Sequence, residues 1–147
     1  MEKEYEIGLV MGVFDLFHIG HLNLIKRAKE HCRYLRVAVL SDELVYEYKH
    51  KYPIIPLEER MEILASIRYV DEVVRIDDNP SRLMELDRRH FDCFFSGDDY
   101  TENDYWNWER SELKKRGVDM MFFPYTRSQS STKIRNKLNG DENSVNG

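Results

Sequence analysis

The stretch "IGLVMGVFDLFHIGHLNLIKRAKEHC" occupies residues 7–32 and sets the reading of the whole fold. Residues 7–12 are apolar and brief, the pattern of a buried parallel strand. From His21 to Cys32, Leu22, Ile25 and Ala28 recur at helical spacing, with Lys26, Arg27, Lys29 and Glu30 between and after them. Between strand and helix stand two histidines, His18 and His21, with Gly20 just before the second.

The same alternation continues outward. Strands are expected at 34–40, 71–76, 92–97 and 118–124. Helices are expected at 57–69 after Pro56, at 80–90 with a proline near the start, at 103–117 closed by Gly117, and at 130–138. Strict β-α alternation predicts one α/β domain over 1–138, a Rossmann-like five-stranded parallel sheet with helices on both faces. The polar residues 139–147 read as a flexible tail. Ligands of such sheets bind beyond the carboxyl ends of the strands, where strand order reverses. That rule points to the loops 12–21, 41–56, 77–80, 97–103 and 124–130.

Composition bounds the function. The chain has 147 residues, 41% of them hydrophobic and 33% charged, a soluble globular mix that can build one core. A net charge of −5 argues against nucleic acid as the partner. Cys32 and Cys93 belong to no Cys-x-x-Cys pair and read as reduced, small apolar residues. The charged N-terminus does not resemble a signal peptide, and no apolar run is long enough for a membrane span, so a cytoplasmic location is expected.

Gly12 ends the first strand, but neither G-x-G-x-x-G nor G-x-x-x-x-G-K-[ST] follows it. Another phosphate site is therefore sought. Gly20 lets a helix begin closely against a ligand, and the first N–H groups of that helix form an anion site. His18 and His21 flank this point as planar donors able to stabilise charge in phosphoryl transfer. A lone histidine would read as an ordinary half-buried polar residue, whereas the pair at this junction reads as function. Asp15, His18 and His21 also allow a metal reading, a two-His-one-carboxylate set. Against it, the three straddle a loop and a helix start.

"GVFDLFHIGH" (12–21) resembles the H-x-G-H signature of the nucleotidyltransferase superfamily, in the G-x-F-D-x-x-H-x-G-H form of the cytidylyltransferases. "IRYVDEV" (67–73), "SGDDY" (96–100) and "SSTKI" (130–134) resemble further family segments in the same order. The glycerol-3-phosphate cytidylyltransferase type is the most similar by length and register.

The resemblance implies attack of a substrate phosphate on the α-phosphorus of CTP, with release of pyrophosphate and Mg²⁺ carried as Mg–CTP. It assigns His18 and His21 to the CTP phosphates and the transition state, with Lys49 and Lys133 as further catalytic cations. Gly12, Val13, Phe14, Asp15 and Gly20 fall on its nucleotide-binding loop, and Ser130, Ser131 and Thr132 on the helix start opposite. Asp15 either orders that loop or assists Mg–CTP, and a plain Asx-type turn or cap stands beside both. Arg68, Asp71 and Asp99 are expected at the nucleotide. Lys51, Arg60, Asp98, Tyr125 and Arg127 are expected at the acceptor, with Lys49 and Lys51 able to trade roles. For Arg68 and Asp71 a structural salt bridge is the competing reading, and for the lysines and Asp98–Asp99 a solvated loop. Tyr125 stands where the family has arginine, and Arg127 lies two places later. A homodimer through 67–73 is implied as well.

The first acceptor on this reading is glycerol 3-phosphate, and the product a precursor for the cell envelope or for lipids. Phosphocholine, phosphoethanolamine or another phosphomonoester is the nearest alternative. Tyr100, Tyr105, Trp106 and Trp108 suit a quaternary-ammonium cage, although helix packing explains them more simply. Endings of the form S-S-T-x-I-R also suit an adenylyltransferase of the same superfamily. From other classes come a regulatory nucleotide binder and an RNA-related module, the latter disfavoured by length and acidity.

Overall fold

The computed structural model describes residues 3–97, 104–124 and 131–140. Asp98, Asp99, Tyr100, Tyr125, Arg127 and Ser130 lie outside the described residues, as do tail positions 141–147. The elements run β1 (Tyr5–Gly12), α1 (Ile19–His31), β2 (Cys32–Leu40), α2 (Asp42–Lys49), α3 (Leu57–Ala65) and β3 (Glu72–Ile76). They continue α4 (Arg82–Arg88), β4 (Cys93–Gly97), α5 (Asp104–Lys115), β5 (Asp119–Phe123) and α6 (Ser131–Leu138).

The five strands form one sheet in the order β3-β2-β1-β4-β5, with every neighbouring pair parallel. The chain steps outward from β1 to β3, then returns to lay β4 on the other side of β1. Strand order therefore reverses between β1 and β4, and a crevice opens beyond their carboxyl ends. Alternating side chains feed two cores. Val10, Val37 and Phe95 pack with Ile25 and Ala28 of α1 and Leu57 and Leu64 of α3. Leu9, Ala38, Phe94 and Met120 pack with Leu44 of α2, Leu83 and Leu86 of α4 and Leu113 of α5. Gly8 permits a close approach at the centre. A Cβ there would lie 2.7 Å from both the Cys32 sulfur and the Phe95 ring. Cys32 and Cys93 are free thiols, both buried.

One expected loop is partly helical. Residues 41–56 read as a connection, yet α2 fills the first half of it. Its stripe is short, since only Leu44 and Val45 are buried, and the tyrosines and lysines of 46–52 read as a charge run. The legible signals were a cap and an acidic first turn. Ser41 accepts from the Leu44 N–H at 3.2 Å, and Asp42 and Glu43 follow it. His50, with φ 58°, ends the helix in the left-handed region. Among the described residues no helix is long and apolar enough to cross a membrane.

Candidate active site

After Gly12 the chain enters left-handed backbone twice, at Phe14 (φ 57°) and Leu16 (φ 51°). These turns bury the Phe14 ring and bring Asp15 beneath the crevice, where only 2% of it is exposed. Asp15 organises the loops around it. One carboxylate oxygen accepts the N–H of Leu16 at 3.1 Å and of Ile55 at 2.9 Å. The other accepts the N–H of Ile54 at 2.8 Å and the Arg135 guanidinium. Its backbone carbonyl accepts the Ser131 hydroxyl at 2.6 Å. Burial by itself would raise the Asp15 pKa, but the N–H groups of Ile54 and Ile55 and the Arg135 guanidinium outweigh it and hold the carboxyl below its ordinary value. Both oxygens are occupied, so Asp15 orders loops and leaves no oxygen for a metal. The three-residue metal set fails for that reason.

His18 is the N-cap of α1, with extended backbone. Its Nδ1 accepts the Gly20 N–H at 3.0 Å, while its own N–H donates to Nδ1 of His21 at 3.3 Å. A capping box is thus built from two imidazoles. The rings stack at 3.8 Å, and Phe14 and Phe17 flank His21 at 5.4 Å each. Burial, reinforced by neighbouring His18 and opposed by Asp15, pushes His21 down to about 4. Burial lowers His18 too. Both rings are therefore neutral at pH 7, and since both Nδ1 atoms accept, each proton sits on Nε2. This corrects the expected role of Gly20. Its N–H, expected to be open to a ligand, is already given to His18.

The two histidines line a cavity of about 280 Å³ at the switch point. From α1 come Gly20, Asn23, Leu24 and Arg27; from α2, Lys49; from α6, Ser131, Thr132 and Arg135; and the strand ends supply Gly97, Phe123 and Pro124. Burial lowers the Lys49 pKa, and nearby Arg135 and Lys51 lower it further. Two guanidiniums, an ammonium, two imidazole donors and hydroxyls converge on one space. That donor set suits several phosphate groups.

The structure gathers His18, His21, Gly20, Lys49, Ser131 and Thr132 as expected neighbours. Gly12, Val13 and Phe14 shape the turn beneath them. Lys133 is half-buried on α6, and Lys51 is exposed beyond the end of α2. Two expectations need correction. Arg60, placed at the acceptor, is 1% exposed and bonded into the framework. Arg68 and Asp71, placed at the nucleotide, precede β3 and so lie at the opposite, amino-terminal edge of the sheet. There Asp71 accepts from the Leu35 N–H and from Lys29, each at 2.7 Å, and Arg68 donates to the Tyr69 hydroxyl at 2.8 Å. Trp106 packs against Phe94 at 5.8 Å beneath the Arg82 guanidinium, the helix packing that explained it more simply than a cage.

Arg135 and Arg27 line the cavity without having been singled out from the sequence. Both carried a signal. Arg135 follows Ser131 by four residues, and Gly20, Leu24 and Arg27 share one face of α1.

A family model described as Cytidylyltransferase-like matches residues 9–137. The glycerol-3-phosphate cytidylyltransferase of Bacillus subtilis (strain 168) is 34% identical over 133 residues, 90% of this chain and 96% of that protein. An FAD synthase of Thermococcus kodakarensis is 41% identical over 122 residues, 80% of this chain and 78% of that protein. Among solved structures, a lipopolysaccharide core biosynthesis protein from Thermoplasma volcanium GSS1 shares the fold, with a TM-score of 0.70 over 83% of this chain and 98% of that one, at 22% identity. The chain belongs to the cytidylyltransferase-like family, a family of nucleotidyltransferase enzymes.

Proposed function

We propose that this enzyme transfers CMP from CTP to a small phosphorylated alcohol, glycerol 3-phosphate first among candidates, and releases pyrophosphate. The observation that carries the reading is the cationic cavity at the β1–β4 switch point, with two neutral imidazoles at its floor. An acceptor phosphate oxygen attacks the α-phosphorus as the bond to the pyrophosphate oxygen breaks. His18 and His21 donate from Nε2 to the phosphate oxygens where charge gathers. Lys49 and Arg135 hold the departing phosphates, and Ser131 and Thr132 position them. Mg²⁺ enters as part of the nucleotide, held by its phosphates.

A second reading has its own support. The identity to an FAD synthase and the ending "SSTKIR" (130–135) favour adenylyl transfer from ATP. Pyrophosphate release, measured with CTP or ATP against a panel of phosphorylated acceptors, separates the two. Turnover with CTP and glycerol 3-phosphate is expected, and turnover with ATP alone would overturn it. On the same proposal the enzyme acts in the cytoplasm as a homodimer joined through 67–73, and supplies a CDP-linked precursor for the cell envelope or for lipids.

A further inference from the structure

The Arg60 side chain is wholly buried, yet its guanidinium touches four separate pieces of backbone and side chain. Nε donates to the Ile55 carbonyl at 2.8 Å. One terminal nitrogen donates to the carbonyls of Val13 at 2.8 Å and Leu40 at 2.9 Å. The other donates to the Asp42 carboxylate at 2.5 Å. Four of its five N–H groups are thus committed. Asp42 in turn accepts from the N–H of Leu57, the first residue of the helix that carries Arg60.

These partners are the roots of the active site. Val13 opens the turn that leads through Asp15 to His18. Ile55 is one of the two residues whose N–H groups hold Asp15. Leu40 ends β2, and Asp42 begins α2, whose far end is Lys49. With only Leu44 and Val45 of α2 buried, few apolar contacts fix the direction of that helix. Its root is held by the Ser41 cap and by Arg60. The planar fork suits this role, because a single ammonium cannot span such spread acceptors.

We infer that Arg60 is a positioning residue that sets the distance between Lys49 and the histidine pair, acting through the root of α2 and never touching the nucleotide. The inference rests on the reading of the cavity as a polyphosphate site. It is tested on the full chain with inorganic tripolyphosphate as the probe, by titration calorimetry, in a double-mutant cycle of R60K and K49A. K49A is expected to weaken binding about 10-fold and R60K about 5-fold, while R60K in the K49A background costs less than about 2-fold. An equal loss in both backgrounds, or wild-type affinity in a folded R60K, overturns the inference. Should R60K fail to fold by circular dichroism, D42N takes its place in the same cycle and is read the same way. Pyrophosphate release reports separately on group transfer. Coupling without turnover sinks the transfer reading and keeps the role of Arg60, and additivity in an active enzyme does the reverse.

Discussion

His21 sits between Phe14 and Phe17 with its ring against His18, and this placement fixes its response to pH. In the unfolded chain its pKa is 6.5, whereas in the fold burial lowers it to about 4. Between these values the unfolded state binds the extra proton, so stability rises with pH across the window and is lost as pH falls from 6.5 towards 4. The Tm advantage of the wild type over His21→Asn is expected to shrink as pH drops from 7 to below 5. Parallel Tm curves for the two proteins would contradict this. At His18 the cap and the phosphate donor can be separated. His18→Asn keeps an oxygen to accept the Gly20 N–H, so the helix start survives. Its kcat is nonetheless expected to fall about 10²–10³-fold, the scale for removing one preorganised donor. An active, folded His18→Asn would remove His18 from the chemistry.

Helix α6 has no fully buried side chain, and polar bonds from Ser131 and Arg135 tie its first half to Asp15. The same carboxylate holds the Ile54 and Ile55 amides, so a single residue fastens α6 and the segment before α3 to the loop after β1. Asp15→Asn removes the charge facing Arg135 and puts an amide NH₂ where an acceptor is required. A destabilisation of about 2 kcal/mol is expected, the scale for leaving buried N–H donors without their acceptor. Hydrogen exchange should quicken first at residues 54–55 and along α6, with the sheet still protected. Uniform quickening across the molecule would show that Asp15 supports the fold as a whole and not these two segments.

At the scale of the whole molecule, the parallel sheet separates two edges with different work. The carboxyl edge gathers the cavity, while the amino edge carries Asp71, Arg68 and Tyr69, with Tyr34 and Ile63 exposed. The proposed homodimer uses that second edge. Sedimentation is expected to give twice the 17.7 kDa chain mass, and Arg68→Glu to return it to one. A wild-type protein that sediments as a single chain would remove the dimer from the proposal.

By itself the sequence determined the layers and the place of the site. Apolar runs of strand length alternating with amphipathic helices leave a parallel sheet as the way to bury both faces. The histidine pair and Gly20 were legible because strand ends and helix starts are local features, whereas Ser131 and Thr132 were placed by the family resemblance. Helix α2 was obscured because its apolar stripe is two residues long. The tertiary structure decided which cations meet the substrate. Along the chain Arg60 and Arg68 were expected at the substrates and Arg135 was passed over. Packing sends the first into the framework, the second to the far edge and the third into the cavity. An arginine takes its role from whatever acceptors surround it, and those are supplied by segments distant in sequence.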